Sequence, residues 1–288
     1  MKKYLSLVKF SHTIFALPFA FIGFYLGLID QPDTSRVVEI AFLVLLSMVF
    51  ARTSAMAFNR FLDRDIDGLN PRTAGREIPS GKVSPIAAQL LTFFSAVLFV
   101  VVTYFINPLC FYLSPIALTV ILGYSFTKRF TSASHFVLGL GLGLAPLGAY
   151  LAITGVFSIV PVLLSILVIT WVTGFDILYA LQDEDFDHQM GLRSIPVALG
   201  SHGAIHFSNG LHILSALIII LISYIFWNSG GPINWIFGIA SMLFIFLLYY
   251  QHTLVKPKQY DRLDFAFFTT NGIASLVYGI AFITDYYW

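Results

Sequence analysis

"VVEIAFLVLLSMVFARTSAMAFNRFLDRDID", residues 37–67, decides the architecture of this chain. Residues 37–60 are an apolar run of the length that crosses a bilayer, and the run ends in a sudden gathering of charge. The continuation, "NRFLDRDIDGLNPRTAGREIPSG" (59–81), packs four acidic and four basic side chains into one passage. Elsewhere charge is scarce: the 288 residues are 58% hydrophobic and 11% charged, where a soluble domain has roughly 25% charged residues. Mean hydropathy is +0.83. About 20 apolar residues at about 1.5 Å each cover roughly 30 Å of hydrocarbon, and such runs recur along the chain. The composition therefore specifies an all-α integral membrane protein, since strands of a membrane barrel would be shorter and alternating.

The expected spans are 10–29, 37–60, 84–106, 109–125, 135–154, 160–181, 205–227, 233–251 and 265–284, a bundle of about nine transmembrane helices. The N-terminus and the second, fourth, sixth and eighth connections carry Lys2, Lys3, Lys9, Arg60, Arg64, Arg72, Arg76, Lys82, Lys128, Arg129, Arg193, Lys256, Lys258 and Arg262, whereas the other connections carry Arg36. The positive-inside rule then puts the N-terminus and the even-numbered connections in the cytoplasm. Met1 to Gly27 reads as the first helix and not as a cleaved leader, because its apolar run is long and lacks a small-x-small cleavage site. With no linker or low-complexity segment, residues 1–288 read as one membrane-embedded domain. A formal net charge of +1 with no basic domain gives nucleic acid nothing to bind, and nothing in the sequence points to a protein partner.

Carboxylates gather a second time, in "DILYALQDEDFDHQMGLRSIP" (176–196), at the end of the sixth span and so on the same face as the first cluster. Each cluster contains Asp-x-Asp-x-Asp and is followed by arginine and proline, a faint internal echo. Asn59, Asp63 and Asp67 are spaced four and four; Asp183 and Asp187 are spaced four, with Asp176 two turns before Asp183. Such spacings stack side chains on one helix face, and they turn Asp65 and Asp185 elsewhere. Bare carboxylates so arranged repel one another strongly, so a hard divalent cation is expected among them. Mg²⁺ fits best, as an oxygen-seeking ion that pairs one or two carboxylates with substrate phosphate oxygens. Arg72, Arg76, Lys82, Lys128, Arg129 and Arg193 lie on the same face, where positive side chains would grip a phosphorylated substrate. Arg52, inside the second span, is expected to turn inward.

The two motifs together resemble the signatures of the UbiA superfamily of intramembrane prenyltransferases. The first has the Asn-x-x-x-Asp-x-x-x-Asp core and an Arg-Thr-x-x-Arg-x-x-Pro-Ser-Gly tail, the second has Asp-x-x-x-Asp, and Tyr124 to Lys128 supplies Tyr-x-x-x-Lys; order and helix count agree over essentially the whole chain. Within the family the chain looks closest to 4-hydroxybenzoate polyprenyltransferases and their menaquinone-pathway (futalosine-route) relatives. The resemblance implies that Mg²⁺ bridges Asn59, Asp63 and Asp67, Asp183 and Asp187, and a polyprenyl diphosphate. It implies diphosphate contacts from Asn59, Arg72, Tyr124, Lys128 and Arg193, with Asp176 close by. The implied reaction is transfer of a polyprenyl group to a small aromatic acceptor in ubiquinone or menaquinone biosynthesis, at the cytoplasmic end of a bundle in a bacterial inner membrane.

A membrane transporter is the alternative, since it too would carry intramembrane acids, but its sites usually lie near the midplane on broken helices. The seven histidines show no shared helical spacing; His188, which adjoins the second cluster, is the one worth testing. Cys110 and most of the 29 phenylalanines read as packing or lipid-facing residues. Gly23 with Gly27, and Gly139 with Gly143, have the small-x-x-x-small spacing of close helix contacts.

Overall fold

The computed structural model describes residues 2–8, 15–32, 34–229, 235–258, 260 and 262–287. Lys9, His12 and the starts of the first and eighth expected spans lie outside the described residues. The helices in chain order are α1 (Lys2–Val8), α2 (Leu17–Asp30), α3 (Val37–Leu62), α4 (Arg64–Leu69), α5 (Pro85–Ile106), α6 (Pro108–Thr127), α7 (Ser134–Thr154), α8 (Ile159–Ala180), α9 (Glu184–Gln189), α10 (Ile195–Asn228), α11 (Trp235–Leu254) and α12 (Asn271–Tyr287). A 3-10 turn, Leu181–Asp183, precedes α9, and a wide π turn, Phe265–Thr270, leads into α12. Among the described residues eight helical segments are long and apolar enough to cross a membrane, and α2 is apolar but shorter. The expected bundle is thus observed, and the chain is a multi-pass integral membrane protein.

Capping chemistry explains several boundaries. Ser84 accepts the Ala87 N–H at 3.2 Å with Pro85 opening α5, and Ser194 accepts the Val197 N–H at 3.3 Å with Pro196 in the first turn of α10. Both satisfy donors that a helix start leaves unpaired. α10 begins ten residues earlier than the expected span at 205, because it is two helices joined across Gly200. Gly200 has φ 67° and ψ 168°, a conformation that is essentially glycine's alone.

Contacts divide the chain into two compact units: Met1–Thr13 with Asp33–Thr127, and Ile14–Pro32 with Lys128–Trp288. In the first, α3 packs on α5 and α6, with α1 against α3. α3 inverts the soluble pattern. Val38, Phe42, Leu45 and Val49 form an exposed apolar stripe, whereas Ser47, Ser54 and Ala57 are buried. Lipid solvates the large side chains, and small residues let the backbones approach. Ser54 Oγ donates to the Thr92 carbonyl of α5 at 3.2 Å. Beneath the connection that follows α4, Leu7, Val8, Ala57, Ile78, Val83 and Ala88 form a local core.

In the second unit α8 is the central helix, with Leu164, Leu167, Val168, Trp171, Val172 and Ile177 fully or almost fully buried. α7 and α10 flank it, and α2 lies against α7. These contacts are close because glycine removes the side chain at the crossing. A Cβ on Gly139 would stand 2.5 Å from Thr173 Oγ1 and 2.7 Å from the Ile169 carbonyl, and one on Gly23 would stand 2.0 Å from the Pro146 carbonyl. Both small-x-x-x-small pairs are therefore packing residues, as expected. Part of the aromatic content is core as well: Phe19, Trp171, Phe244 and Tyr278 interlock with ring centroids 5.3 to 6.3 Å apart. Trp171 Nε1 donates to Asn271 Oδ1 at 2.8 Å.

Gly139→Ala and Gly23→Ala should each cost about 1–3 kcal/mol through overpacking against rigid backbone, seen as a lower Tm of the detergent-solubilised protein. Gly148→Ala, whose Cβ meets nothing within 4 Å, should leave Tm unchanged or raise it; equal losses at all three positions would contradict the close-approach explanation.

Candidate active site

In the first unit the carboxylate column forms at the end of α3. Asp63 ends α3 and opens α4, with φ −91° and ψ 2°. The backbone still bonds through this break: Asp63 N–H donates to the Asn59 carbonyl at 2.9 Å, and Asp67 N–H to the Asp63 carbonyl at 2.7 Å. Asn59, Asp63 and Asp67 are all buried, and Asp65 is exposed, as the fourfold spacing requires. Asn59 Nδ2 donates to Asp63 Oδ2 at 3.1 Å. Asp67 Oδ1 accepts from Arg76 Nη1 at 2.6 Å, and Arg60 Nη1 stands 4.0 Å from Asp67 Oδ2. The Thr73 hydroxyl donates to the Asp67 carbonyl at 3.0 Å and holds the following turn in place.

Cations surround this column. Arg60 is buried, and it feels Arg76, Asp67, Tyr124 and Glu77 electrostatically. Arg52, half-buried one helix stretch earlier, has Tyr124 and Arg60 among its electrostatic neighbours. Tyr124 therefore reaches the arginine side of the column from the end of α6. Arg72 is exposed, and its backbone N–H donates to Asn70 Oδ1 at 2.9 Å.

The second unit repeats the backbone form. α8 runs through the 3-10 turn to Asp183, which has φ −104° and ψ 2° and opens the six-residue α9. Asp187, half-buried, is acted on by Asp183, Lys128, Ser194 and His135, and Asp185 is exposed. The chain after α9 is stitched to the one before α7: Arg193 N–H donates to the Lys128 carbonyl at 2.8 Å, and Arg193 Nη1 to the Phe130 carbonyl at 2.8 Å. Asp176 lies on α8, two turns before Asp183, and its Oδ2 is 2.7 Å from His135 Nδ1.

Sequence reasoning found the acids but not all their partners. Arg60 and Arg76, counted only among the basic residues of this face, are the groups that meet Asp67; the seven-residue step from Arg60 to Asp67, two helical turns, was the available signal. His188 is exposed at the end of α9, whereas His135, passed over because it lies 41 residues from Asp176 in the chain, touches a site acid. No helical spacing could have linked them.

Among the described residues no group of three or more His, Cys, Asp or Glu side chains is gathered to hold a metal ion. Asp63 and Asp67 stand four residues apart, as do Asp183 and Asp187, and Asp183 acts electrostatically on Asp187. Mg²⁺ commonly takes one or two carboxylates and completes its shell with water and phosphate oxygens, so paired oxygen donors suit it. One observation supports the fit: Asp67 Oδ2 is buried without a hydrogen-bond partner, an acceptor that ordinary packing does not leave unmet.

Comparisons with known proteins agree with this arrangement. The UbiA prenyltransferase family matches residues 16–273. A 4-hydroxybenzoate octaprenyltransferase of Aeromonas hydrophila is 30% identical over 227 residues, 79% of this chain and 77% of the relative. The apo structure of a UbiA homolog from Aeropyrum pernix K1 superposes with a TM-score of 0.82 at 31% identity, covering 95% of this chain and 98% of its own. A UbiA homolog from Archaeoglobus fulgidus, bound to GPP and Mg²⁺, shares the fold with a TM-score of 0.76 at 22% identity, covering 99% of this chain and 100% of its own. With both aspartate motifs standing at broken helix ends inside a membrane bundle, this chain belongs to the UbiA prenyltransferase family.

Proposed function

We propose that residues 1–288 act as one prenyltransferase domain that moves a polyprenyl group from polyprenyl diphosphate to a 4-hydroxybenzoate-like aromatic acceptor. The observation that carries this reading is the pair of aspartate motifs, each broken at its first acid, with a buried Asp67 oxygen that accepts no hydrogen bond among arginines. The acceptor class rests on the octaprenyltransferase relative; an aromatic menaquinone precursor has the same requirements.

Asn59, Asp63 and Asp67, with Asp183 and Asp187, are the oxygen ligands assigned to Mg²⁺. When bound, Mg²⁺ supplies positive charge to the diphosphate and to the negative charge that grows on it as it leaves. The chain's own residues do the rest. Arg72, Tyr124, Lys128 and Arg193 grip diphosphate oxygens; Arg193 commits one N–H to Phe130 and keeps its other donors available. The bond between the allylic carbon and the diphosphate oxygen breaks, an acceptor ring carbon forms the new C–C bond, and the ring proton is lost. Asp176, partly exposed beside the second motif, is the carboxylate assigned to that proton. The apolar tail of the donor dissolves in lipid while its anionic head needs these polar helix ends, and the N-terminus and the two acidic ends are assigned to the cytoplasm on their Lys and Arg content.

Purified protein in lipid with Mg²⁺, geranyl diphosphate and 4-hydroxybenzoate should form the C-prenylated product. Chelation by EDTA should abolish this and excess Mg²⁺ restore it. Asp63→Ala and Asp183→Ala should each lower the rate about 100-fold or more with the fold retained. Transfer that survives either substitution at near wild-type rate would refute the ligand assignment.

The orientation is testable in a Cys110→Ser background, as Cys110 is the single cysteine. A cysteine at Ser80 should react with an impermeant maleimide only from the cytoplasmic side, and one at Ser229 only from the opposite side. The reverse pattern would overturn the assignment.

A further inference from the structure

The pairing of His135 with Asp176 belongs to no motif of the sequence, and its geometry sets which atoms of the two groups face each other. His135 is buried, with 6% of its side chain exposed, and Asp176 keeps 23%. The Ile195 backbone N–H, which can only donate, points at His135 Nε2 at 3.5 Å. In the tautomer that satisfies both contacts, Nε2 accepts and the ring proton sits on Nδ1. Nδ1–H donates to Asp176 Oδ2 at 2.7 Å, which leaves Oδ1 as the oxygen that can meet a ligand.

The packing around the pair is close. The His135 carbonyl accepts from Thr173 Oγ1 at 3.3 Å, and Thr173 lies one turn before Asp176 on α8. One turn beyond His135, Gly139 brings α7 against Thr173 and Ile169 with no room for a side chain. The imidazole is therefore held from three sides, by α7, by α8 and by the start of α10. Arg193 N–H closes on the Lys128 carbonyl, and Lys128 and His135 both act electrostatically on Asp187.

We propose that His135 is the positioning residue for Asp176: it holds one carboxylate oxygen so that the other faces the hydroxyl or the departing ring proton of the aromatic acceptor. This rests on the prenyltransferase reading above and deepens it by assigning contact with the acceptor to Asp176. A hydrogen bond made only to hold α7 on α8 would stabilise the fold but would not distinguish acceptor from donor. A positioning bond would.

The test uses the full-length protein in lipid with Mg²⁺, geranyl diphosphate and 4-hydroxybenzoate. His135→Ala should lower kcat/KM for 4-hydroxybenzoate roughly 10- to 100-fold while the KM for geranyl diphosphate changes less than about twofold. His135→Asn, whose amide N–H can occupy the place of Nδ1–H, should recover most of the loss. In an Asp176→Asn background, His135→Ala should cost nothing more, because the two act as one unit. ¹⁵N-histidine NMR should show His135 as the Nδ1–H tautomer in the wild-type protein and a changed Nδ1 signal in Asp176→Asn. Active wild-type protein with an unaffected His135→Ala variant, or with equal losses for donor and acceptor and no rescue by His135→Asn, would overturn the positioning role alone. Wild-type protein that binds geranyl diphosphate yet prenylates no aromatic acceptor would overturn the functional reading and this inference with it.

Discussion

A carboxylate buried at the end of a lipid-spanning helix is costly unless cations or hydrogen-bond donors meet it, and both halves of this molecule are organised by that requirement. In the first unit Asp67 is met by Arg76 at 2.6 Å and approached by Arg60 at 4.0 Å, and Asp63 by the Asn59 amide. In the second, Asp176 is met by His135, and Asp187 by Lys128 and Ser194. Asp67 Oδ2 nevertheless makes no hydrogen bond, with Arg60 standing off at 4.0 Å. A carboxylate oxygen without a hydrogen bond, beside arginines, is suited to a ligand that brings both a cation and phosphate oxygens.

Helix packing serves the same end. Because lipid solvates apolar side chains as well as a protein interior does, helices approach one another through small residues, and Ser54, Gly23, Gly139 and Gly143 mark those approaches. The Gly139 crossing has a chemical consequence, because it sets α7 so tightly on α8 that His135 reaches Asp176. A larger residue at 139 would displace the imidazole as well as the helix.

Most of the fold was legible because lipid imposes one rule, a run of about 20 apolar residues, that leaves its mark in composition alone. Expected span starts at 37, 84, 109, 135 and 160 fall within a residue of the observed helix starts at 37, 85, 108, 134 and 159 for the same reason, reinforced by Ser84 and Pro85. The early start of α10 was missed because hydropathy averages over "SIPVALGSHG", and only the dihedrals of Gly200 reveal two helices there. In the site, the fourfold spacing placed Asn59, Asp63 and Asp67 on one face and Asp65 outside it, as observed. His135 could not be read, since its pairing depends on how two helices cross and not on any periodicity within one.

The break at the first acid of each motif, at Asp63 and at Asp183, shows why a continuous helix would serve poorly. Such a helix would set its acids in the last turn, at the negative end of the backbone dipole, where anions are disfavoured by about 0.3–1 kcal/mol each. Restarting the helix at that residue converts the last turn into a first turn. Asp65 and Asp67 then open α4, and Glu184, Asp185 and Asp187 open α9, where backbone N–H groups favour negative charge. Both Asp63 and Asp183 adopt ψ 2° in the sparsely populated region that turns and active-site residues share. The same local solution at two places in one chain argues that the helix restart is the device by which membrane-spanning helices carry acids to a polar end.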